Sequence, residues 1–231
     1  LDQLNCRYLQ LRLFTLVDER YLIQLTELNK YGFKGIELLL ARTNFSSLKI
    51  SIEMLTAMSN MNQIVIHSDS EVRRYELNGC SVVHTTKSID SETHCGAVST
   101  NDFTANRALF TENHHFNSCL NNKVSIDHIG QICNCPSLPE KYGSIGIQSI
   151  ADALTESTSF KKYWTISKDQ IEVCQTCEFR YICTDCRAYR EDPKELYSKP
   201  LKCGYDPNTG VWEDWKKSPF KQNAIQFYDL K

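Results

Sequence analysis

The sequence predicts an α/β protein in two parts, a parallel sheet with helices packed against it, open or forming part of a (β/α) barrel, and then an irregular cysteine-rich region built on a β-hairpin. Three observations predict this. Up to about residue 90, short apolar runs of period two take turns with segments of helical period, the pattern of strand and helix alternating. Beyond that point alternation stops and Cys, His and Asn accumulate, which places a domain boundary between Thr86 and His94, with domains over 1–90 and 91–231. Five cysteines then crowd between Cys174 and Cys203.

In the first part, Arg7 to Phe14 (R-Y-L-Q-L-R-L-F) alternates apolar and polar residues and reads as a strand. Asp18 has the character of an N-cap for a helix carrying Leu22, Leu25 and Leu28 on one side and ending near Gly32. Lys34 to Leu40 is the second strand. Ser46 or Ser47 can cap a helix with Leu48, Ile52, Leu55 and Met58 at helical spacing, the methionines acting as core filler. Gln63 to His67 is the third strand, a short polar helix is expected after it, and Cys80 to Thr86 is the fourth strand. His67 and His84 lie at or near strand ends, where α/β folds place their active sites, although a histidine there is more often structural. Cys6 and Cys80 have no partner at ligand spacing and read as small buried apolar residues.

In the second part, His94-Cys95-Gly96 sets a thiol beside an imidazole. Lys123 to Asp127 alternates as a strand, Asp127 to Gly130 turns, and the chain returns through Gln131 to Cys135, where Pro136 stops it. Such a hairpin brings Cys119 at its base close to Cys135, with Cys133 facing the other way. Ser149 to Trp164 reads as a helix with Ile150, Leu154 and Phe160 on its apolar side.

The run C-Q-T-C-E-F-R-Y-I-C-T-D-C, followed by K-C-G-Y-D-P, has the spacing C-x2-C-x5-C-x2-C and then one more cysteine. Two cysteines two residues apart can turn both sulfurs toward one centre, and thiolates bind soft metals and iron–sulfur clusters strongly. A redox pair or a zinc knuckle is the smaller alternative, but five cysteines exceed the needs of one tetrahedral zinc. Disulfides suit small secreted chains, whereas this one has 11 cysteines, no signal-peptide pattern and 231 residues with which to build a core. Arg180, Arg187, Arg190 and Lys202 interleave with these thiols and can offset the negative charge of a thiolate-ligated cluster, Arg190 being the one best read as a solvated surface charge.

Composition sets the outer bounds. With 41% hydrophobic and 23% charged residues, the chain is expected to be an ordinary soluble globular protein. A net charge of -2 offers no electrostatic case for nucleic acid, and no apolar run is long enough to span a membrane. Abundant free thiols point to a reducing, cytoplasmic location. The chain begins at Leu1 rather than Met, as expected of a fragment or trimmed chain.

The second part resembles the SPASM domain, the auxiliary iron–sulfur module at the C-terminus of many radical S-adenosylmethionine peptide-modifying enzymes. The resemblance lies in Cys119, Gly130 and Cys135, the run Cys174, Cys177, Cys183 and Cys186, and Cys203. The family usually has three residues between the last pair of the run, and here Thr184 and Asp185 supply two. The wording N-S-C-L-N, I-C-N-C-P-S, C-E-F-R-Y-I-C-T-D-C-R-A-Y and K-P-L-K-C-G-Y-D-P is similar to the SPASM proteins of grasp-with-SPASM systems, encoded beside an ATP-grasp ligase and a precursor peptide. The match is close over about residues 94–231 and looser over the first part, which it implies to be a degenerate partial barrel.

That resemblance implies two 4Fe-4S clusters, one held by Cys174, Cys177, Cys183 and Cys203, the other by Cys119, Cys135 and Cys186. The fourth ligand of the second set has no counterpart in the pattern. Cys95 is the residue expected to fill it, with His114, His115 or an open iron site as alternatives. Domains of this type often fold only with their metal. The C-x3-C-x2-C motif that starts radical chemistry is absent from these residues, since Cys6, Cys80 and Cys95 cannot form it, and an upstream motif stays open. The resulting expectation is a peptide maturase that works with a precursor peptide and an ATP-grasp ligase. Its rivals are the C-terminal part of an active radical enzyme and a zinc-stabilised binding module.

Overall fold

A computed structural model of the protein describes residues 4–15, 19–47, 52–156 and 158–230. The chain divides into two compact units, Leu1–Glu92 and Thr93–Lys231. Each has its own core.

The first unit is a five-stranded sheet. Strands β1 (Tyr8–Leu13), β2 (Gly35–Ala41) and β3 (Met61–His67) alternate with α1 (Glu19–Thr26), α2 (Arg42–Ser47) and α3 (Ile52–Thr56), and β4 (Arg73–Leu77) and β5 (Cys80–His84) follow. The sheet order is β1-β2-β3-β5-β4, parallel except for β4, which runs antiparallel to β5. Ile36, Leu38 and Leu40 of β2, Ile64 and Ile66 of β3 and Val82 of β5 form a buried core with Leu22, Leu25, Leu55 and Met58. Side chains alternate across a strand, so one face of the sheet carries this apolar set. The other carries a polar register row of Gln10, Glu37, Gln63 and Ser81. Met58 and Met61 are core filler as expected.

Several local expectations change. The polar segment after His67 forms strand β4, not a helix. Asn78 and Gly79 join β4 to β5 with φ of 52° and 80°, the left-handed pair that a two-residue hairpin turn requires. An Asn-Gly pair between alternating runs is itself a hairpin signal, and it outweighs the polarity of R-R-Y-E. Ser46 and Ser47 fall inside α2 instead of capping a helix, Met58 lies just beyond α3, and Leu48 and Asp18 are outside the described residues. Cys80 is buried, but Cys6 is half-buried and so is not the core residue expected.

The second unit has little regular structure. It contains α4 (Arg107–His115), the hairpin β6 (Ser125–Ile126) and β7 (Ile132–Cys133), α5 (Ile150–Glu156), a second small hairpin β8 (Tyr205–Asp206) and β9 (Val211–Trp212), and α6 (Gln222–Phe227). The long helix expected over Ser149 to Trp164 stops at Glu156, and a separate 3-10 turn at Thr158–Lys161 carries the buried Phe160. The predicted turn is present: the Asp127 carboxylate accepts the N–H groups of Ile129 and Gln131, and Gly130 has φ of 83°. The main core of this unit includes Leu120, Tyr163, Ile171, Cys174, Cys186, Tyr189 and Leu201. Thiols are thus part of its packing.

Among the described residues no helix is long and apolar enough to cross a membrane.

Candidate metal centre

Cysteine positions follow from a series of tight turns. The Cys177 N–H donates to the Cys174 carbonyl at 3.0 Å, closing the C-x2-C turn, and the Cys183 N–H donates to the Phe179 carbonyl at 3.0 Å. Cys203 is turned by a bond from its N–H to Pro200, and Lys221 holds the Cys203 carbonyl at 2.6 Å. These thiols influence one another. Burial raises the Cys174 thiol to about 12, and the neighbouring Cys203 adds to this. Cys177 and Cys183 are also raised, first by burial and in part by Cys203.

The second gathering includes the residue that the resemblance could not supply. Burial is the chief cause raising the Cys119 thiol, with Cys186, Cys95 and Cys135 contributing as neighbours. Cys135 rises through burial, with help from Cys95, while burial pushes Cys186 to about 11 and Asp185, Cys95 and Cys135 add to it. Cys95 is exposed, yet the adjoining Gly96 lies hard against Cys186: a Cβ on Gly96 would stand 2.7 Å from the Cys186 sulfur. The Lys202 ammonium clamps this segment by donating to the carbonyls of Thr93 and Cys95, while the Val98 N–H donates to Lys202.

All 11 cysteines are free thiols. Eight fall into the two neighbourhoods just described. Cys133 does not: it is fully buried, and its thiol donates to the Ser125 carbonyl across the hairpin. His114 stacks on Tyr181 with ring centres 3.7 Å apart, and His115 lines an open groove of about 620 Å³ with Arg107 and Phe116. Among the described residues no group of three or more His, Cys, Asp or Glu side chains is arranged to hold a single metal ion.

Charge around the thiols is lopsided. The second unit buries four cations, Lys168, Arg187, Lys202 and Lys221, and among its described residues only one carboxylate, Asp185, is equally buried. Lys168 faces three of the thiols. Its burial opposes ionisation, yet Asp185 and the thiols of Cys174, Cys183 and Cys203 outweigh burial and hold its pKa above the ordinary value. Its ion pair with Asp185 is loose, at 3.8 Å. Arg187 is far better satisfied, donating to Asp185 at 2.8 Å and to the carbonyls of Leu196 and Ser198. Arg190 is not a solvated charge, because its guanidinium donates to the carbonyls of Arg187 and Pro193.

The histidines of the first unit are held inside it. His84 Nδ1 meets the Asp69 carboxylate, and its ring stacks on Tyr75, whose hydroxyl is 3.4 Å from Nε2. The His84 hydrogen bond is the main cause holding Asp69 down to about 2. His67 Nδ1 accepts the Ile89 N–H at 3.3 Å. Both rings tie the strand ends to the loops beyond them.

Lys168, Asp185 and Asn117 were not visible as site residues in the sequence. Asp185 and Asn117 lie within the cysteine motifs, but Lys168 carries no signal, since nothing distinguishes it from a solvated lysine until burial is known. No family model, curated protein or solved structure matches this chain.

Proposed function

We propose that this is an iron–sulfur protein whose second unit, read as a SPASM domain, binds one 4Fe-4S cluster through Cys174, Cys177, Cys183 and Cys203 and another through Cys95, Cys119, Cys135 and Cys186. The observation that carries this reading is the buried Lys168 ammonium, which lies beside the thiols of Cys174, Cys183 and Cys203 and shares Asp185, at 3.8 Å, with Arg187. A buried cation needs a compensating anion. Thiolates ionised by metal binding would supply it. Of the other buried cations, Arg187 and Lys221 have carboxylate partners in Asp185 and Glu191, whereas Lys202 meets backbone carbonyls and lies near the thiols of Cys186 and Cys95. The donor chemistry also fits, since each thiol of a polynuclear cluster takes a separate iron and the sulfurs need not converge as tightly as around one zinc.

When bound, such clusters supply one-electron redox chemistry and a rigid cross-link between distant segments. The residues around them have distinct tasks. Lys168 and Lys202 offset thiolate charge, and Lys202 also fixes the segment that carries Cys95. Lys221 fixes Cys203 through its carbonyl. The sheet of the first unit is read as a remnant of a (β/α) barrel.

The biological role rests on the sequence resemblance, which points to maturation of a ribosomally made peptide beside an ATP-grasp ligase in the cytoplasm. The protein would hold the precursor or the ligase, or pass electrons, while ATP-dependent chemistry belongs to the ligase. Iron, zinc and acid-labile sulfide analysis of anaerobically purified protein tests the cluster assignment. Brown protein with iron and sulfide in equal amounts is expected, and colourless zinc-loaded protein would overturn it. Co-purification with a tagged precursor peptide and ligase tests the role, and no retention of either would remove it.

A further inference from the structure

We infer that Asp185 is a positioning residue that couples the two cysteine sets, so that filling one favours filling the other. This rests on the reading of both sets as cluster sites.

Asp185 stands between Cys183 of one set and Cys186 of the other, and it is 1% exposed. Its two oxygens reach three side chains. Oδ1 accepts from Arg187 Nη2 at 2.8 Å and faces Lys168 at 3.8 Å. Oδ2 accepts from Asn117 Nδ2 at 2.6 Å and lies 2.7 Å from Arg187 Nε.

Each contact leads to a cysteine. Lys168 lies beside the thiols of Cys174, Cys183 and Cys203. Asn117 Oδ1 accepts the Cys119 N–H at 3.0 Å, fixing the first cysteine of the hairpin set. Arg187 donates to Leu196 and Ser198, which precede the turn at Pro200 that positions Cys203. One buried carboxylate therefore orients residues of both sets. Ordering it for one cluster prearranges the other. Residues sharing a buried polar network are the ones whose contributions fail to add.

Limiting-iron reconstitution followed by native mass spectrometry reads the coupling directly. Wild-type protein is expected to pass from empty to doubly loaded with little singly loaded species, and Asp185→Asn should accumulate about tenfold more of the singly loaded form, within the usual range for networked residues. Should Asp185→Asn fail to fold, Asn117→Leu, which cuts only the arm toward Cys119, carries the same expectation. Ala153→Gly, in the separate small core of Ile132, Ala153 and Phe160, should leave the distribution at the wild-type pattern, which separates coupling from general loss of stability. Alkylation of the thiols before iron is added gives a second readout: Cys183 and Cys119 should both label faster in Asp185→Asn, and Cys133 should not. Statistical loading of the wild type, or a wild-type pattern in both network variants, overturns the coupling while leaving the clusters in place. Wild-type protein that takes up no iron overturns the cluster reading and the coupling with it.

Discussion

Replacing Lys168 with Met tests the electrostatic logic of the site. The ammonium is 4% exposed, faces the thiols of Cys174, Cys183 and Cys203, and lies 3.8 Å from Asp185. At an effective dielectric near 20, a unit charge about 4–8 Å away contributes about 2–4 kcal/mol. For a one-electron couple that corresponds to about 90–170 mV. Reduction adds negative charge, so losing a nearby cation disfavours it. Lys168→Met should therefore lower the potential of the first cluster by about that range, while Lys168→Arg should retain most of the wild-type value. The second cluster should move much less, since the thiols beside Lys168 belong to the first set. An anaerobic redox titration followed by electron paramagnetic resonance measures both potentials. Equal shifts at the two clusters, or no shift beyond about 20 mV at the first, would show that Lys168 does not answer to this site.

Three further outcomes are expected. Cys95→Ser should remove about half of the iron and sulfide, because one of two four-thiol sets loses a ligand, and Cys133→Ser should retain both clusters; full iron in Cys95→Ser would return the fourth ligand to another group. Gly96→Ala should weaken the second cluster selectively, since its φ is 83° and the new methyl would press on the Cys186 sulfur at 2.7 Å; visible and paramagnetic spectra identical to wild type would contradict that contact. In the first unit, Asp69 is held at about 2, below its ordinary 3.8, so its contribution to stability is complete above about pH 4 and is lost as pH falls toward 2. Asp69→Asn should flatten that part of the acid stability curve, and an unchanged pH dependence would separate Asp69 from the His84 contact.

The first unit was legible because its core obeys two periods. Leucine and isoleucine recur every second residue in β2 and β3, and α1 presents Leu22 and Leu25 on one side, so sheet and helices could be read directly. At β4, turn chemistry outweighs polarity. R-R-Y-E-L is polar because it forms an edge strand with most of its side chains exposed, and only Asn78-Gly79 announces the hairpin. In the second unit, periodicity gives almost nothing, since its strands are two residues long. Cysteine spacing takes over there, because a C-x2-C turn is a local geometry that sequence specifies.

What spacing could not convey is which charges surround the thiols. Arg190 and Lys168 look alike in the sequence, each a cation near a cysteine motif, yet one ends on two backbone carbonyls and the other on thiols and a carboxylate 3.8 Å away. The difference arises from the path of the chain. Asn117, Lys168 and Asp185 meet only after the hairpin and the cysteine run have folded together, across separations of up to 68 residues. Ligand identity is therefore a local property and the electrostatics of the ligands a tertiary one. The same division explains Cys95, which has no motif spacing of its own and reaches Cys186 through Gly96 and the Lys202 clamp. A residue placed by such long-range contacts should be more sensitive to changes at Lys202 than to changes in the residues beside it in the chain. Lys202→Met should then weaken the second cluster while His94→Ala leaves it intact, and the reverse order of effects would mean that local chain geometry, not the clamp, sets Cys95.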